Sequence, residues 1–292
     1  MSLRVLESGP LALIQDLGRP GWAALGVGPS GALDRAALRL GNRLLGNAEG
    51  DAGVEVLLGG FSARFESETW FALTGAEGAI ELDGRPVDPH LAVHAAAGAV
   101  LRVGAPDHGM RHYLAVRGGF DVHPVLGSRS RDTLAGLGPE PLRSGDVLPI
   151  GRARGAVAPL DFVPLTAPTR GPIDLRAHRG PRADWFTEAA FDAFHDAAWT
   201  LSAESSRIGA RLDPPAAGRH AAPLLERCVA AELPSEPMVA GSVQVSPDGR
   251  PTVLLADHPV TGGYPVIAVV ADASLDLLAQ ARPGQAVTFR RA

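Results

Sequence analysis

The sequence has 292 residues, and its 27 basic residues are all arginine, with no lysine anywhere. That excludes a Schiff-base lysine, a phosphate-gripping P-loop lysine and a lysine general base from this polypeptide. A net charge of −5 argues against a basic nucleic-acid surface, and the single cysteine, Cys228, excludes an internal disulfide and a four-cysteine zinc site. An apolar content of 46% supports real cores, while 35 glycines, 25 prolines and only 20% charged residues point to a turn-rich, mainly β chain.

In chain order, the start Met1-Ser2-Leu3-Arg4 leads into no long apolar run. The longest strongly apolar stretch, Val266 to Ala271, is far below a membrane span. A cytoplasmic protein without a membrane segment is the expectation. Apolar spacing predicts a first helix from about Ala32 to Leu45, with Asp34 in its first turn and Gly46-Asn47 as the stop. Short strands follow at Glu55–Leu58, Ser62–Phe65, Trp70–Thr74, Ala79–Leu82, Val100–Val103, Tyr113–Val116 and Val147–Ile150, with a hairpin turn at Asp83-Gly84. Recurrent prolines between residues 152 and 172 suggest a boundary, giving domains over 1–155 and 170–292.

Beyond it, a second helix is predicted from about Ala183 to Ala198 and a third from about Ala273 to Ala281, N-capped by Asp272 and stopped by Pro283-Gly284. Strands Ser242–Val245 and Thr252–Leu255 flank the turn Pro247-Asp248-Gly249, and Val266–Val270 and Ala286–Phe289 complete the half. Strands at this spacing, without βαβ alternation, argue for barrels or sandwiches. The fold class is mainly β (α+β), in two β-rich halves.

Four groups of residues invite a functional reading. Gly26-Val27-Gly28-Pro29-Ser30-Gly31 matches a dinucleotide fingerprint as a string, but no convincing strand precedes it, so it reads as a turn feeding a helix. His90/His94 and His108/His112 are i, i+4 pairs in stretches that do not read as helices. They are taken as polar loop histidines, and no metal site is predicted. Cys228 has no histidine near it in sequence and reads as a small buried core residue.

The fourth group holds the site candidates. Glu236, Gln244, Asp257 and the run Thr261-Gly262-Gly263-Tyr264-Pro265 fall within about thirty residues at strand ends and turns, where paired glycines admit a ligand close to the backbone. Upstream, Ser205-Ser206-Arg207-Ile-Gly209-Ala-Arg211 places two arginines around a glycine turn, an arrangement suited to a carboxylate, carbonate or phosphate.

Longer motifs carry a family resemblance. They are Gln15-Asp-Leu-Gly-Arg-Pro-Gly21, Gly26-Val-Gly-Pro-Ser-Gly-Ala-Leu-Asp34, Gly46-Asn47, Leu73-Thr-Gly-Ala76, Tyr113-Leu-Ala-Val-Arg-Gly-Gly119, Gly127-Ser-Arg-Ser130, Ser206-Arg-Ile-Gly-Ala-Arg-Leu212, Gln244-Val-Ser-Pro-Asp-Gly-Arg-Pro251, Leu255-Ala-Asp257 and Thr261-Gly-Gly-Tyr-Pro265. Together they resemble the KipA-like family, also labelled allophanate hydrolase subunit 2 or biotin-dependent carboxyltransferase domain, over essentially the whole chain. The sequence departs from the family pattern at Pro259-Val260-Thr261 and at Gln244-Val-Ser-Pro247.

The resemblance implies a cyclophilin-like β-barrel in the C-terminal half. It implies the C component of an ATP-dependent 5-oxoprolinase, a hetero-oligomer with a KipI-like B component and a LamB/YcsF-like A component, opening 5-oxoproline to glutamate. ATP would be used by the complex rather than bound by this chain alone. Two alternatives accompany it: half of a biotin-dependent urea or amide carboxyltransferase, and a regulatory protein antagonising a KipI-like kinase inhibitor. A lactam and a urea share a carbonyl bonded to N–H, so the site needs an N–H acceptor and carbonyl donors. On that reading Asp257 accepts from the substrate N–H, and Gln244 and the Thr261–Gly263 turn bond the carbonyl or a carboxylate. Tyr264 orients the substrate, and Arg207 or Arg211 pairs with an anionic group, with Glu236 among the substrate-binding residues.

Overall fold

The computed structural model describes residues 1–160, 162–215 and 225–292. The chain forms two compact units: residues 1–19, 30–132 and 136–168 make the first, and residues 20–29, 133–135 and 169–292 make the second.

In the first unit the strands are β1 (Ser2–Ser8), β2 (Leu11–Gln15), β3 (Gly53–Leu57), β4 (Phe61–Phe65), β5 (Thr69–Leu82), β6 (Arg85–Pro86), β7 (Val93–Ala95), β8 (Val100–Val116) and β9 (Val147–Pro149), with helix α1 at Arg35–Leu44. They pair in the order β2-β3-β8-β4-β1-β9, with β5 on β6, β7 and β8. The two strands predicted over 70–82 are one, as are those predicted between 100 and 116. Gly75, Gly78 and Gly109, which fall outside the predicted ranges, lie within strands whose register shifts repeatedly between Gly75 and Ile80. Glycine suits this bulged pairing, since a Cβ at Gly78 would lie 2.8 Å from the Pro106 Cα and the Ala105 oxygen. Asp83 and Gly84 both have positive φ, as a two-residue hairpin turn of this kind requires.

Leu3, Val5, Ile14, Val54, Val56, Phe61, Phe65, Phe71, Leu101, Leu114 and Val116 form the core of this unit. Helix α1 starts later than expected because Asp34 is its N-cap, accepting from the Ala37 N–H at 2.9 Å. The helix sits close on the sheet: a Cβ at Gly41 would be 3.1 Å from the Ala115 Cβ, and Thr74 Oγ1 donates to the Ala37 carbonyl at 2.7 Å.

The second unit contains β10 (Ile173–Arg179), α2 (Glu188–Asp196), β11 (Trp199–Leu201), β12 (Gly209–Asp213), β13 (Glu236–Pro237), β14 (Ser242–Val245), β15 (Pro251–Leu254), β16 (Thr261–Gly262), β17 (Val266–Val270), α3 (Asp272–Ala279) and β18 (Ala286–Arg291). Seven of these strands close a barrel in the order β10-β17-β14-β15-β12-β11-β18. A ring of alternating directions closes only with an even number of strands, so seven require one parallel contact, and β10 with β18 supplies it. This is the closed C-terminal barrel that the resemblance implied. Trp199 anchors its interior, donating from Nε1 to the Phe194 carbonyl at 3.0 Å, and Phe194 stacks on Phe289 at 4.3 Å.

Two helix boundaries differ from the sequence reading. Residues 183–185 form a 3-10 turn, and α2 begins after Thr187, whose hydroxyl accepts from Ala190 N–H as N-cap. Asp272, expected to cap α3, is its first helical residue, and Ala271 occupies the cap without a side-chain bond. There Asp272 still complements the helix dipole. No helix among the described residues is long and apolar enough to cross a membrane.

Candidate functional site on the barrel wall

Directly paired residues of an antiparallel ladder share a face. Arg211 on β12 pairs with Thr252 on β15, which pairs in turn with Gln244 on β14. Their neighbours Ala210, Leu212, Val243, Val245 and Val253 are buried in the barrel. Alternation therefore points the row Arg211–Thr252–Gln244 outward. Gly209, a turn glycine on the sequence reading, opens β12 instead, where a Cβ would meet the Thr252 methyl at 2.7 Å.

A two-stranded ribbon, β13 paired with β16, lies beside Gln244. Gln244 Nε2 donates to the Tyr264 carbonyl at 3.3 Å and lies 3.5 Å from the Met238 sulfur. A Cβ at Gly262 would fall 2.5 Å from Nε2, so glycine there lets the ribbon backbone approach the amide. Met238, Leu254 and Val266 form the apolar layer of the same area. Glu236 pairs with Gly262 in the ribbon and takes two contacts from Arg182 Nε, at 2.9 and 3.1 Å, with a further one from Nη2. Those guanidinium bonds hold the Glu236 carboxyl below its ordinary range. Thr261 and the Tyr264 ring are exposed. Gln244, Glu236 and the 261–264 turn thus converge, joined by Arg182.

Asp257 and Arg207 form a separate, buried cluster. Arg207 Nε donates to Asp257 Oδ2 at 2.9 Å and Nη2 to Oδ1 at 3.0 Å. Thr133 adds its N–H at 2.9 Å and its hydroxyl at 2.7 Å to Oδ2. This changes two roles expected from the sequence. Asp257 is occupied by internal donors and does not present itself to a substrate N–H, and Arg207 is occupied by Asp257 and does not await an anion. Arg211 stays apart from Arg207, exposed and 3.2 Å from Glu204.

Neither Thr133 nor Arg182 is among the residues the sequence motifs single out. Thr133 lies 124 residues from Asp257 and follows no pattern that would mark it.

Gly28, in the dinucleotide-like string, lies against the His258 carbonyl, 3.0 Å from where its Cβ would be, with no βαβ unit around it. His94, His108 and His112 lie on strands rather than loops, and His112 is fully buried. Among the described residues no three His, Cys, Asp or Glu side chains are placed to hold a metal ion. Cys228, expected in the core, is exposed, its thiol 3.3 Å from the Asp184 carbonyl.

Motif residues of the first unit hold its fold. Asp16 accepts from the Ser128 and Ser130 hydroxyls, both at 2.6 Å, and from the Gly18 and Arg129 N–H groups. Glu55 accepts from the Tyr113 hydroxyl at 2.8 Å and the Leu33 N–H at 3.1 Å. Burial, with Glu55 and Asp34 nearby, keeps the Tyr113 hydroxyl protonated well past its usual range.

Residues 25–291 match the family described as carboxyltransferase domain, subdomain A and B. The chain is 39% identical to the C subunit of 5-oxoprolinase from Escherichia coli, over 98% of its own length and 90% of that protein's. It is 31% identical to urea amidolyase of Saccharomyces cerevisiae, over 99% of its own length but only 16% of the yeast protein. The crystal structure of the K. lactis urea amidolyase superposes with a TM-score of 0.89 at 27% identity, covering 99% of this chain and 18% of that one.

Proposed function

The chain belongs to the carboxyltransferase domain family, subdomain A and B, and from that premise we propose that it is the C component of an ATP-dependent 5-oxoprolinase. The observation that carries this reading is the near full-length match to a protein of that name, 98% of this chain against 90% of the relative. A KipI-like B component and a LamB/YcsF-like A component complete the enzyme, and the complex rather than this chain alone uses ATP.

The substrate site is the barrel wall beside the β13–β16 ribbon. Opening a lactam puts charge on the carbonyl oxygen, and donors placed there in advance lower the barrier. Gln244 Nε2 and the backbone N–H groups of the 261–263 turn are assigned as those donors, because the ribbon backbone at Gly262 and Tyr264 lies against the Gln244 amide. Tyr264 stands exposed at the end of that turn, able to cover a bound ring. Glu236, kept ionised by Arg182, is the carboxylate able to accept from the lactam N–H. The Asp257–Arg207–Thr133 cluster acts as a positioning group, fixing the start of the segment that leads from β15 to the turn.

The test is reconstitution. Purified chain and its two partner components are mixed with 5-oxoproline and ATP, and glutamate is measured with and without avidin. Glutamate formation that needs all three proteins and ignores avidin supports the reading. Avidin inhibition favours the second reading, biotin-dependent carboxyl transfer to urea or another amide, which the likeness to the K. lactis enzyme motivates. In that case biotin must arrive on another protein, because this chain has no lysine to carry it. Partner binding without turnover points instead to regulation of the KipI-like protein.

A further inference from the structure

In the first unit, away from the residues used above, a cleft of about 410 Å³ opens between the start of β5, strand β7, the end of β8 and the segment after β9. Its size falls within the range of roughly 300–1,000 Å³ common for small-molecule sites. Trp70 and His94, paired across β5 and β7, form one wall, their rings in edge contact at 5.3 Å. Arg117 and Arg152 also line the cleft.

Arg4, Arg129 and Arg131 each lie within 4 Å of a carboxylate, whereas among the described residues no carboxylate lies that close to Arg117 or Arg152. Arg117 is held in place, its N–H donating to the Trp70 carbonyl and its Nη2 to the Gly155 carbonyl, both at 2.8 Å. Its Nε is buried with no hydrogen-bond partner. Next to Arg117 and Arg152, Gly118 and Gly151 pack so closely that a Cβ on either would overlap the other's carbonyl, at 2.3 and 2.5 Å.

We propose that this cleft binds a small cyclic carboxylate, its ring against Trp70 and His94 and its carboxylate between Arg117 and Arg152. A planar carboxylate matches the fork of a guanidinium, and an aromatic wall selects a flat ring over a bare inorganic anion. Glu68 at the rim disfavours ligands with a second negative charge. The inference rests on residues of the first unit and is independent of the 5-oxoprolinase reading.

Benzoate is the probe, titrated calorimetrically into the full-length protein, with benzamidine as a control of the same ring and opposite charge. Saturable benzoate binding is expected, with none for benzamidine. Arg152→Glu, at an exposed position, is expected to weaken benzoate at least about tenfold, the effect of losing one charge-assisted contact. Trp70→Phe should retain most of the binding and His94→Ala part of it, with folding verified by circular dichroism. Absence of benzoate binding overturns the proposal. So does equal binding of benzamidine, or benzoate affinity unchanged in Arg152→Glu.

Discussion

Arg207 and Asp257 bind each other at two points in the interior of the second unit, with side chains only 4% and 0% exposed. Their sequence contexts assign them to opposite ends of a substrate, but their chemistry satisfies itself first. Two such charges out of water are tolerable only with good geometry and further bonds, and Thr133 provides two of these. Removing one partner is therefore worse than removing both. Arg207→Ala is expected to cost about 3–5 kcal/mol, because the Asp257 carboxylate remains buried and uncompensated. Replacing the pair together, as Arg207→Met with Asp257→Leu, should recover part of that loss. Urea unfolding of the three proteins checks this, and a double variant no better than Arg207→Ala would contradict it.

Gly262 tests the ribbon site. A methyl group there meets the end of the Gln244 side chain at 2.5 Å and the Met238 Cγ at 3.3 Å, both flexible groups rather than backbone. Gly262→Ala should displace the Gln244 amide from the Tyr264 carbonyl and cost about 1 kcal/mol of stability, the scale of one hydrogen bond. Glutamate formation by the reconstituted complex should fall much further, by about 10-fold or more, the scale expected for losing a positioned donor. Full turnover in this variant would remove Gln244 from the proposed site.

Local signals in the sequence reach some of these features and not others. Short apolar runs bounded by turn residues locate the barrel strands β14, β15 and β17, and Pro247-Asp248-Gly249 marks the hairpin joining the first two, because composition and turn chemistry are short-range properties. Glycine misleads in two ways. At Gly75, Gly78 and Gly109 it accommodates bulges inside long strands rather than ending them, and at Gly209 it begins one. The convergence of Gln244, Glu236 and the 261–264 turn is legible as crowding within one stretch of chain. Arg182 with Glu236 and Thr133 with Asp257 are not, being pairs 54 and 124 residues apart that only the tertiary fold brings together.

Gly46-Asn47 illustrates a motif whose purpose is structural. Asn47 Nδ2 donates to the Val116 carbonyl at 2.8 Å and to Asn42 Oδ1 at 3.0 Å, while its Oδ1 accepts from the Gly118 N–H at 2.8 Å. Asn47→Ala is expected to destabilise the protein by about 1–3 kcal/mol, through the Val116 carbonyl and Gly118 N–H left without it. Gly46→Ala should be at least as harmful: its φ is +67° and the new Cβ would overlap the Ala156 carbonyl at 2.2 Å. Thermal melts of the two variants, which lie outside the barrel site, check both effects.

His112 sets an acid limit on stability. It is fully buried on β8, and neither ring nitrogen has a hydrogen-bond partner. Burial is the main reason its pKa falls from 6.5 to about 4; the nearby Ala76 backbone offsets this in part, and His90 adds to it. His90 itself is lowered, again chiefly by burial, with Glu77 opposing. Between pH 6.5 and about 4 the unfolded chain binds a proton at His112 that the folded chain does not, so stability falls as pH drops through this window. A displacement from 6.5 to about 4 corresponds to about 3 kcal/mol, lost in full only below the lower value. His112→Leu removes the group that must be charged and buries no unpaired polar atom. Urea midpoints measured at pH 7 and pH 4.5 should therefore diverge strongly in the native protein and much less in the variant. Equal divergence in both would place the acid sensitivity elsewhere.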